Sequence, residues 1–489
     1  MSALLEQWLA RASDSRCAVF DAGGRTTWSE LVDRADRVAC ALLGERRSLE
    51  GERVAVLVSP GAAFAAAFFG VLRAGGTVVV LSPLHPPPET RYFCEDGRVR
   101  TVVASADMAE RVAFLAPERD VVLVETLVIH PRRAIAAAPR DGDPALQLYT
   151  SGTTGKPKGA VLGHGNLAVQ QRLIREAWGW RAEDTLLHVL PLHHMHGLAI
   201  AWLSAVGAGA STHFLGAFDA VRTWNAVADA SVFMAVPTVH AKLFAAFDAA
   251  DEATRKRWAE HAGALRLVTS GSAALPVTVG DRWRALTGAY PLERFGMTEI
   301  GVGASNPLDP ARRRPGTVGP PLPTVEARIV DDELWIAGPS VFAGYHDKPE
   351  ATRDAFVVED GRRWFKTGDT VARDDDGYLR ILGRTSVDIL KSGGYKLSAL
   401  EIEEVLREHP AVADAAVVGL PDATWGERVV ACVVPREGRE AECAEDAIRA
   451  FAKERLAPYK VPKQVVPMRD LPRNALGKVL KPELVKKLG

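Results

Sequence analysis

The chain has 489 residues, of which 47% are hydrophobic and 25% charged; this is the balance of an ordinary globular protein and too apolar for a disordered one. Its 60 Lys and Arg stand against 61 Asp and Glu, a net charge of −1, so no overall field draws it to nucleic acid or to an anionic membrane. Any anionic ligand must be held by basic residues gathered locally.

At roughly 150 residues per domain, the length predicts about three domains or one large multi-lobed fold. The opening segment carries Glu6 and lacks a basic run followed by an apolar core, so a signal peptide is not expected. In the first third, Arg53–Val58, Thr77–Leu81, Thr101–Ala104 and Val121–Val124 are short apolar, β-branched runs. Between the first two lies the apolar run Ala62–Leu72, ended by Arg73. It is too short to span a bilayer and predicts a buried helix. Strands joined through helices predict βαβ units and a parallel sheet. The pattern returns at Thr185–Leu190, Val232–Val236 and Leu265–Thr269.

From about residue 315 short strands and Gly/Pro turns take over, as in Val325–Val330 and Glu333–Ile336, which predicts a β-rich lobe. Past Gly383-Arg384 come a helix (Ala399–Glu408), strands (Val412–Val418, Val429–Val434) and a helix (Glu445–Leu456). The expected organisation is α/β: a large N-terminal domain (1–383) of two sheet subdomains plus the β-rich lobe, then a small mobile α+β domain (384–489). The basic tail Lys478–Lys487 reads as a solvated helix face. Five scattered cysteines form no C-x-x-C, which fits reduced thiols in a cytoplasmic protein.

The segment Tyr149–Gly159 packs three glycines, the hydroxyls of Thr150, Ser151, Thr153 and Thr154, and two lysines, Lys156 and Lys158, into eleven residues. Gly152 and Gly155 let backbone amides approach an anion, and hydroxyls and ammonium groups then bind phosphate oxygens. It is not a Walker A loop, since G-x-x-x-x-G-K-[ST] is absent. The bland alternative is a flexible turn.

This segment resembles the phosphate loop of the adenylate-forming superfamily, which holds acyl-CoA synthetases, luciferases and peptide-synthetase adenylation domains. Four further motifs follow in the family's order. They are Arg294-Phe-Gly-Met-Thr-Glu299, Trp364-Phe-Lys-Thr-Gly-Asp369, Gly383-Arg384 with Ile389–Lys396, and Pro472–Lys478. The resemblance covers nearly the whole chain.

The resemblance implies that Thr298 contacts the α-phosphate of ATP and that Glu299 holds Mg²⁺, a cation that prefers oxygen ligands. Lys478 would bridge the substrate carboxylate and the α-phosphate. Phe295 would stack on adenine, with Glu293, Gly296 and Met297 in the same nucleotide-binding segment. Asp369 and Arg384 would take the ribose hydroxyls, and Ser270, Ser272 and Ala273 would line the adenine and acyl sites. In the family the small domain rotates about the hinge, here aligned at Ser386. The alternative pose presents Lys391, Ser392, Gly393 and Gly394 to coenzyme A, where two glycines in series give a thin ligand room.

The acyl pocket decides the acid. Pro191-Leu-His-His-Met-His-Gly-Leu198 carries three histidines. His194 corresponds to the family's pocket entrance, and His196 adds a polar group; a metal site or core packing are the alternatives. Arg294 stands where the family has a small or neutral residue, and a guanidinium suits a second substrate carboxylate. An ion pair with Glu293 or another acid is its alternative. Longer stretches, among them Leu267–Pro276 and Leu292–Gly301, resemble malonyl-CoA synthetases; Phe295 for Tyr and His193 for Phe are departures.

The expected activity is therefore ATP-dependent malonate–CoA ligation through a malonyl-adenylate, with methylmalonate as a second acid. The expected partners are small molecules (malonate, ATP, CoA), without nucleic acid, membrane span or fused carrier domain. The alternatives are a ligase for a short or medium monocarboxylic acid, and a non-catalytic nucleotide-binding protein of the same fold.

Overall fold

The computed structural model describes residues 1–150, 156–422, 424–473 and 477–489. A seven-stranded sheet runs in the order Gly344–Tyr345, Lys158–Gly163, Pro144–Thr150, Thr77–Val80, Arg53–Leu57, Thr101–Ala104, Asp120–Leu123. Its last five strands are parallel, and the strand Lys158–Gly163 folds back antiparallel on Pro144–Thr150. An eight-stranded sheet has a parallel run from Leu292–Met297 through Leu267–Ser270, Val232–Ala235, Thr185–His188 and Ser211–Phe214 to Cys17–Asp21.

Each strand predicted in these two sheets is found within two residues, because an unbroken β-branched run buried on both faces has no other low-energy home. The apolar run forms the helix Ala62–Arg73, nearly all of it buried. It joins the two sheets: Phe69 stacks on Trp8 with ring centroids 3.7 Å apart and meets Trp202 edge-on at 5.8 Å.

The β-rich lobe is a five-stranded antiparallel sheet built on the twelve-residue strand Arg362–Arg373, which pairs with Leu379–Arg384. The chain then turns at 385–388, where Asp388 accepts from the Arg384 amide at 3.0 Å. It enters a separate sheet built around Val412–Asp422 and Gly426–Pro435. These two strands run longer than the sequence predicts because they pair along their whole length. Leu390, Ile402, Leu406, Val417 and Ile448 give this part a core of its own.

One expectation holds only in part. The tail forms the helix Lys481–Leu488 with Glu483, Lys486 and Lys487 exposed, but its other face is buried. Leu484 is buried, and Lys481 is sunk between Asp388 at 2.5 Å and Glu403 at 2.7 Å. Burial pulls the Lys481 ammonium down, and the two carboxylates more than offset this, so its pKa stands above the ordinary lysine value.

Candidate active site

Parallel sheets leave a crevice beyond the carboxyl ends of their strands, where loops and side chains converge. The candidate residues collect there, at the ends of Pro144–Thr150, Leu267–Ser270 and Leu292–Met297.

On the acid side, strand alternation sends Glu293 and Arg294 to opposite faces. Glu293 accepts from the Gly316 amide at 2.9 Å and from the Leu275 backbone, and burial pushes its pKa up to about 8. The predicted alternative, an Arg294–Glu293 ion pair, is therefore not formed. Arg294 is buried, and its Nε and Nη2 have no hydrogen-bond partner among the described residues. Burial alone lowers its pKa to about 9. The guanidinium lies flat on the backbone at Gly271, where a Cβ would stand 2.4 Å from Nε.

His196 is buried beside it, with Nδ1 3.1 Å from Ser272 Oγ and Nε2 unpartnered among the described residues. Burial first and the Arg294 charge second hold its pKa well below the usual imidazole value. His194 and His193, their rings 4.2 Å apart, are held by burial at about 4 and about 2. The histidines are therefore neutral at pH 7. The Oγ of buried Ser270 is also unpartnered among the described residues, while Ser272 (φ 70°) and Ala273 are exposed. Among the described residues no group of three or more His, Cys, Asp or Glu is arranged to hold a metal. A buried cation without an anion is costly. Together these groups make a buried polar cluster in which, among the described residues, no carboxylate is paired with the Arg294 guanidinium.

On the phosphate side, Ser151, Gly152, Thr153, Thr154 and Gly155 lie outside the described residues. The flanks of the loop are tied down. Thr150 Oγ1 lies 3.4 Å from the Lys158 carbonyl, and Tyr92 donates to the Pro157 carbonyl at 2.8 Å. The Lys156 ammonium sits 5.3 Å above the Tyr92 ring and the Lys158 ammonium 4.5 Å above the Tyr345 ring. Tyr345 donates to Glu299 Oε1 at 2.9 Å. Lys158, Tyr345 and Glu299 thus form one connected group. Phe295, Gly296, Met297 and Thr298 are half-buried beside Glu299, and the Phe342 amide holds the Glu299 carbonyl at 2.8 Å. Tyr92 and Tyr345 carry no local sequence signal, since only the folded sheet brings them to the loop.

Asp369 pairs with Arg384 Nε at 3.2 Å, and its Oδ2 is buried without a partner among the described residues. Burial raises its pKa to about 6, against the opposing charges of Arg384 and then Lys478. Lys478, from the small domain, therefore reaches the Asp369 cluster. Its neighbour Gly477 sits on Thr238, with room for a Cβ only 2.8 Å from Thr238 Cγ2. Lys391–Gly394 are not brought into this cluster. Lys391 and Ser392 end one strand of a hairpin whose turn is Gly393 (φ 58°) and Gly394 (φ 82°), and the Gly393 amide donates to the Trp425 carbonyl of the same domain at 2.8 Å.

Comparison with known proteins agrees with this geometry. Residues 5–346 match the AMP-binding enzyme family, and residues 401–478 match the AMP-binding enzyme C-terminal domain. The mitochondrial malonate–CoA ligase ACSF3 of Bos taurus is 39% identical over 98% of this chain and 89% of its own. The crystal structure of ATP-bound MatB from Rhodopseudomonas palustris superposes with a TM-score of 0.90 at 34% identity, covering 100% of this chain and 99% of that one. A malonyl-CoA ligase ternary product complex with methylmalonyl-CoA and AMP bound gives 0.69 at 38% identity, over 95% of this chain and 99% of that one.

Proposed function

The chain belongs to the AMP-binding enzyme family, and from that premise we propose that it is an AMP-forming malonate–CoA ligase. The observation that carries the choice of acid is the buried Arg294 guanidinium, whose Nε and Nη2 have no partner among the described residues and which is flanked by neutral His196. A monocarboxylic acid would leave that charge uncompensated. The distal carboxylate of malonate supplies the missing charge through two parallel N–H···O bonds. Methylmalonate adds one methyl group and is the nearest second substrate.

The reaction runs in two steps. A malonate oxygen attacks the α-phosphorus of ATP, giving malonyl-AMP and pyrophosphate. The thiol of CoA then attacks the acyl carbon, giving malonyl-CoA and AMP, with the thiol proton released. The first step sets two anions against each other, so positioned cations and donors lower its barrier. Lys478 bridges the attacking carboxylate and the α-phosphate, and Thr298 donates to the same phosphate. Lys156 and Lys158 take the outgoing phosphates together with the loop 150–155. Phe295 stacks on adenine beside Glu293, Gly296 and Met297; Asp369, whose Oδ2 lacks a partner among the described residues, accepts from a ribose hydroxyl. Ser270, Ser272, Ala273 and His194 line the acyl site.

Mg²⁺ fits Glu299, because a carboxylate with one oxygen fixed by Tyr345 presents the hard oxygen donor this ion prefers. It would neutralise phosphate charge there. For the second step the small domain turns about residues 384–388, bringing Lys391–Gly394 to the CoA path. No helix among the described residues is long and apolar enough to cross a membrane, and with all five cysteines free a reducing, cytoplasmic setting is the proposed location.

AMP formation with ATP, Mg²⁺ and CoA tests the choice of acid across malonate, methylmalonate, succinate, acetate and octanoate. Malonate or methylmalonate should lead. A lead for acetate or octanoate would overturn the acid and leave the adenylation chemistry standing.

A further inference from the structure

The small domain touches the large one at a point the reaction scheme does not use. The helix Val277–Thr287 begins behind Pro276 and has no side-chain cap of its own. Its first amide, Val277 N, is instead bonded at 2.7 Å to Oε1 of Glu404, from the helix Ala399–Arg407 of the small domain. A carboxylate on an orphan helix N-terminal amide satisfies a donor and meets the positive end of the helix dipole.

Val277 also closes the segment that forms the acyl site. That segment is pinned at Ser272 by His196 and at Leu275 by Glu293. Glu404 supplies the third pin, and it arrives only when the small domain is placed as here, with Lys478 at Asp369. One ion pair across this boundary, Lys396–Asp332 at 2.9 Å, is exposed at both ends, with 60% and 61% of the side chains accessible. Such a pair contributes little. Glu404 is half-buried and charge-assisted.

We propose that Glu404 is a positioning residue for adenylation: it caps the helix Val277–Thr287 across the domain boundary and so holds the acyl-site segment and the Lys478 pose together. This rests on the malonate–CoA ligase reading. It assigns Glu404 to the first half-reaction alone, because the hinge rotation that begins the second breaks the contact.

The test separates the half-reactions in the full-length enzyme. Pyrophosphate release from malonate and ATP is measured for wild type, Glu404→Ala and Glu404→Asp, the last a methylene too short to reach. Malonyl-CoA formation is measured separately from pre-formed malonyl-AMP and CoA. Both variants should lose pyrophosphate release by roughly tenfold, the size of one charge-assisted hydrogen bond, with malonyl-CoA formation unchanged or faster. Glu404→Gln, which keeps an acceptor oxygen, should recover part of the loss. Equal losses in both half-reactions would make Glu404 merely structural, and no loss in either would remove its role; both overturn the proposal. If wild type adenylates another acid and not malonate, the reading of the substrate fails, and the same comparison is then made with that acid.

Discussion

Glu293 and Arg294 are neighbours in sequence and strangers in space: the carboxyl group of one accepts from the Gly316 amide, and the guanidinium of the other has two nitrogens without a partner among the described residues. The strand pleat imposes this, since successive side chains point to opposite faces. Two side chains that could pair in a loop are held apart here, and burial keeps Glu293 protonated up to about pH 8.

Replacing Arg294 by Met should therefore do two things of opposite sign. The kcat/KM for malonate should fall by more than a hundredfold, about 3 kcal/mol, the worth of a buried charge-paired contact. Acetate turnover should change little. The unliganded protein should become more stable, because a buried charge with no partner is replaced by an apolar chain of similar length. Chemical unfolding and steady-state kinetics on the same preparation check both. A fall in stability together with equal loss on acetate would show that Arg294 braces the fold. Arg294→Lys should recover little, since a point charge cannot form the two parallel bonds.

Glu293 gives the molecule a pH dependence of stability. Burial raises its pKa from 4.5 to about 8, so between these values the folded state binds a proton that the unfolded state has released. The stability conferred by that proton is fully present below pH 4.5 and is lost as pH rises through about 8. Glu293→Gln keeps an acceptor for the Gly316 amide and removes the titration. Urea unfolding from pH 5 to 9 should show a decline in wild type that is flatter in the variant. Parallel curves would place the titration elsewhere.

Much of this was legible beforehand, for identifiable reasons. Strands such as Val232–Ala235 are buried on both faces and read as unbroken apolar runs. The family motifs are short, because in the proposed roles each has its residue types dictated by the phosphate or ribose it would face. Illegible were the contacts made by sequence-distant residues: Tyr345 on Glu299, Glu404 on Val277, Lys481 between Asp388 and Glu403. A lysine in a basic tail looks solvated until two buried carboxylates from elsewhere in the chain close on it. Arg294 was a middle case, since its residue type pointed to a carboxylate and only the pleat decided which one it could not be.

Lys481 is three residues past Lys478 and anchors the helix behind it. Lys481→Met should destabilise the small domain by about 3 kcal/mol, because Asp388 is left buried without its cation, while Glu403 keeps Arg407 at 3.2 Å. Asp388 also holds the Arg384 amide, so adenylation should slow as well. The double change Lys481→Met with Asp388→Asn should recover part of the stability by removing the stranded charge while keeping an acceptor for the Arg384 amide. Differential unfolding of the three proteins checks this; a double variant no better than the single one would locate the cost in lost packing.

Asp369 couples the proposed ribose site to Lys478, the proposed catalytic lysine. Its pKa stands at about 6, raised by burial and held from going higher by Arg384 and Lys478. On the proposed role the ionised carboxylate accepts from a ribose hydroxyl, so binding should strengthen as pH rises through 6 and then level off. Adenosine is the right probe, since it carries the ribose without a titrating phosphate. Calorimetric binding from pH 5 to 8 should show this step in wild type, and Asp369→Asn should abolish it. In Lys478→Ala one of the two offsetting cations is gone, so the midpoint should move to higher pH while binding above it persists. A midpoint unchanged by the loss of Lys478 would mean that the lysine does not sit against Asp369 in solution, and that the small domain rests in its other pose.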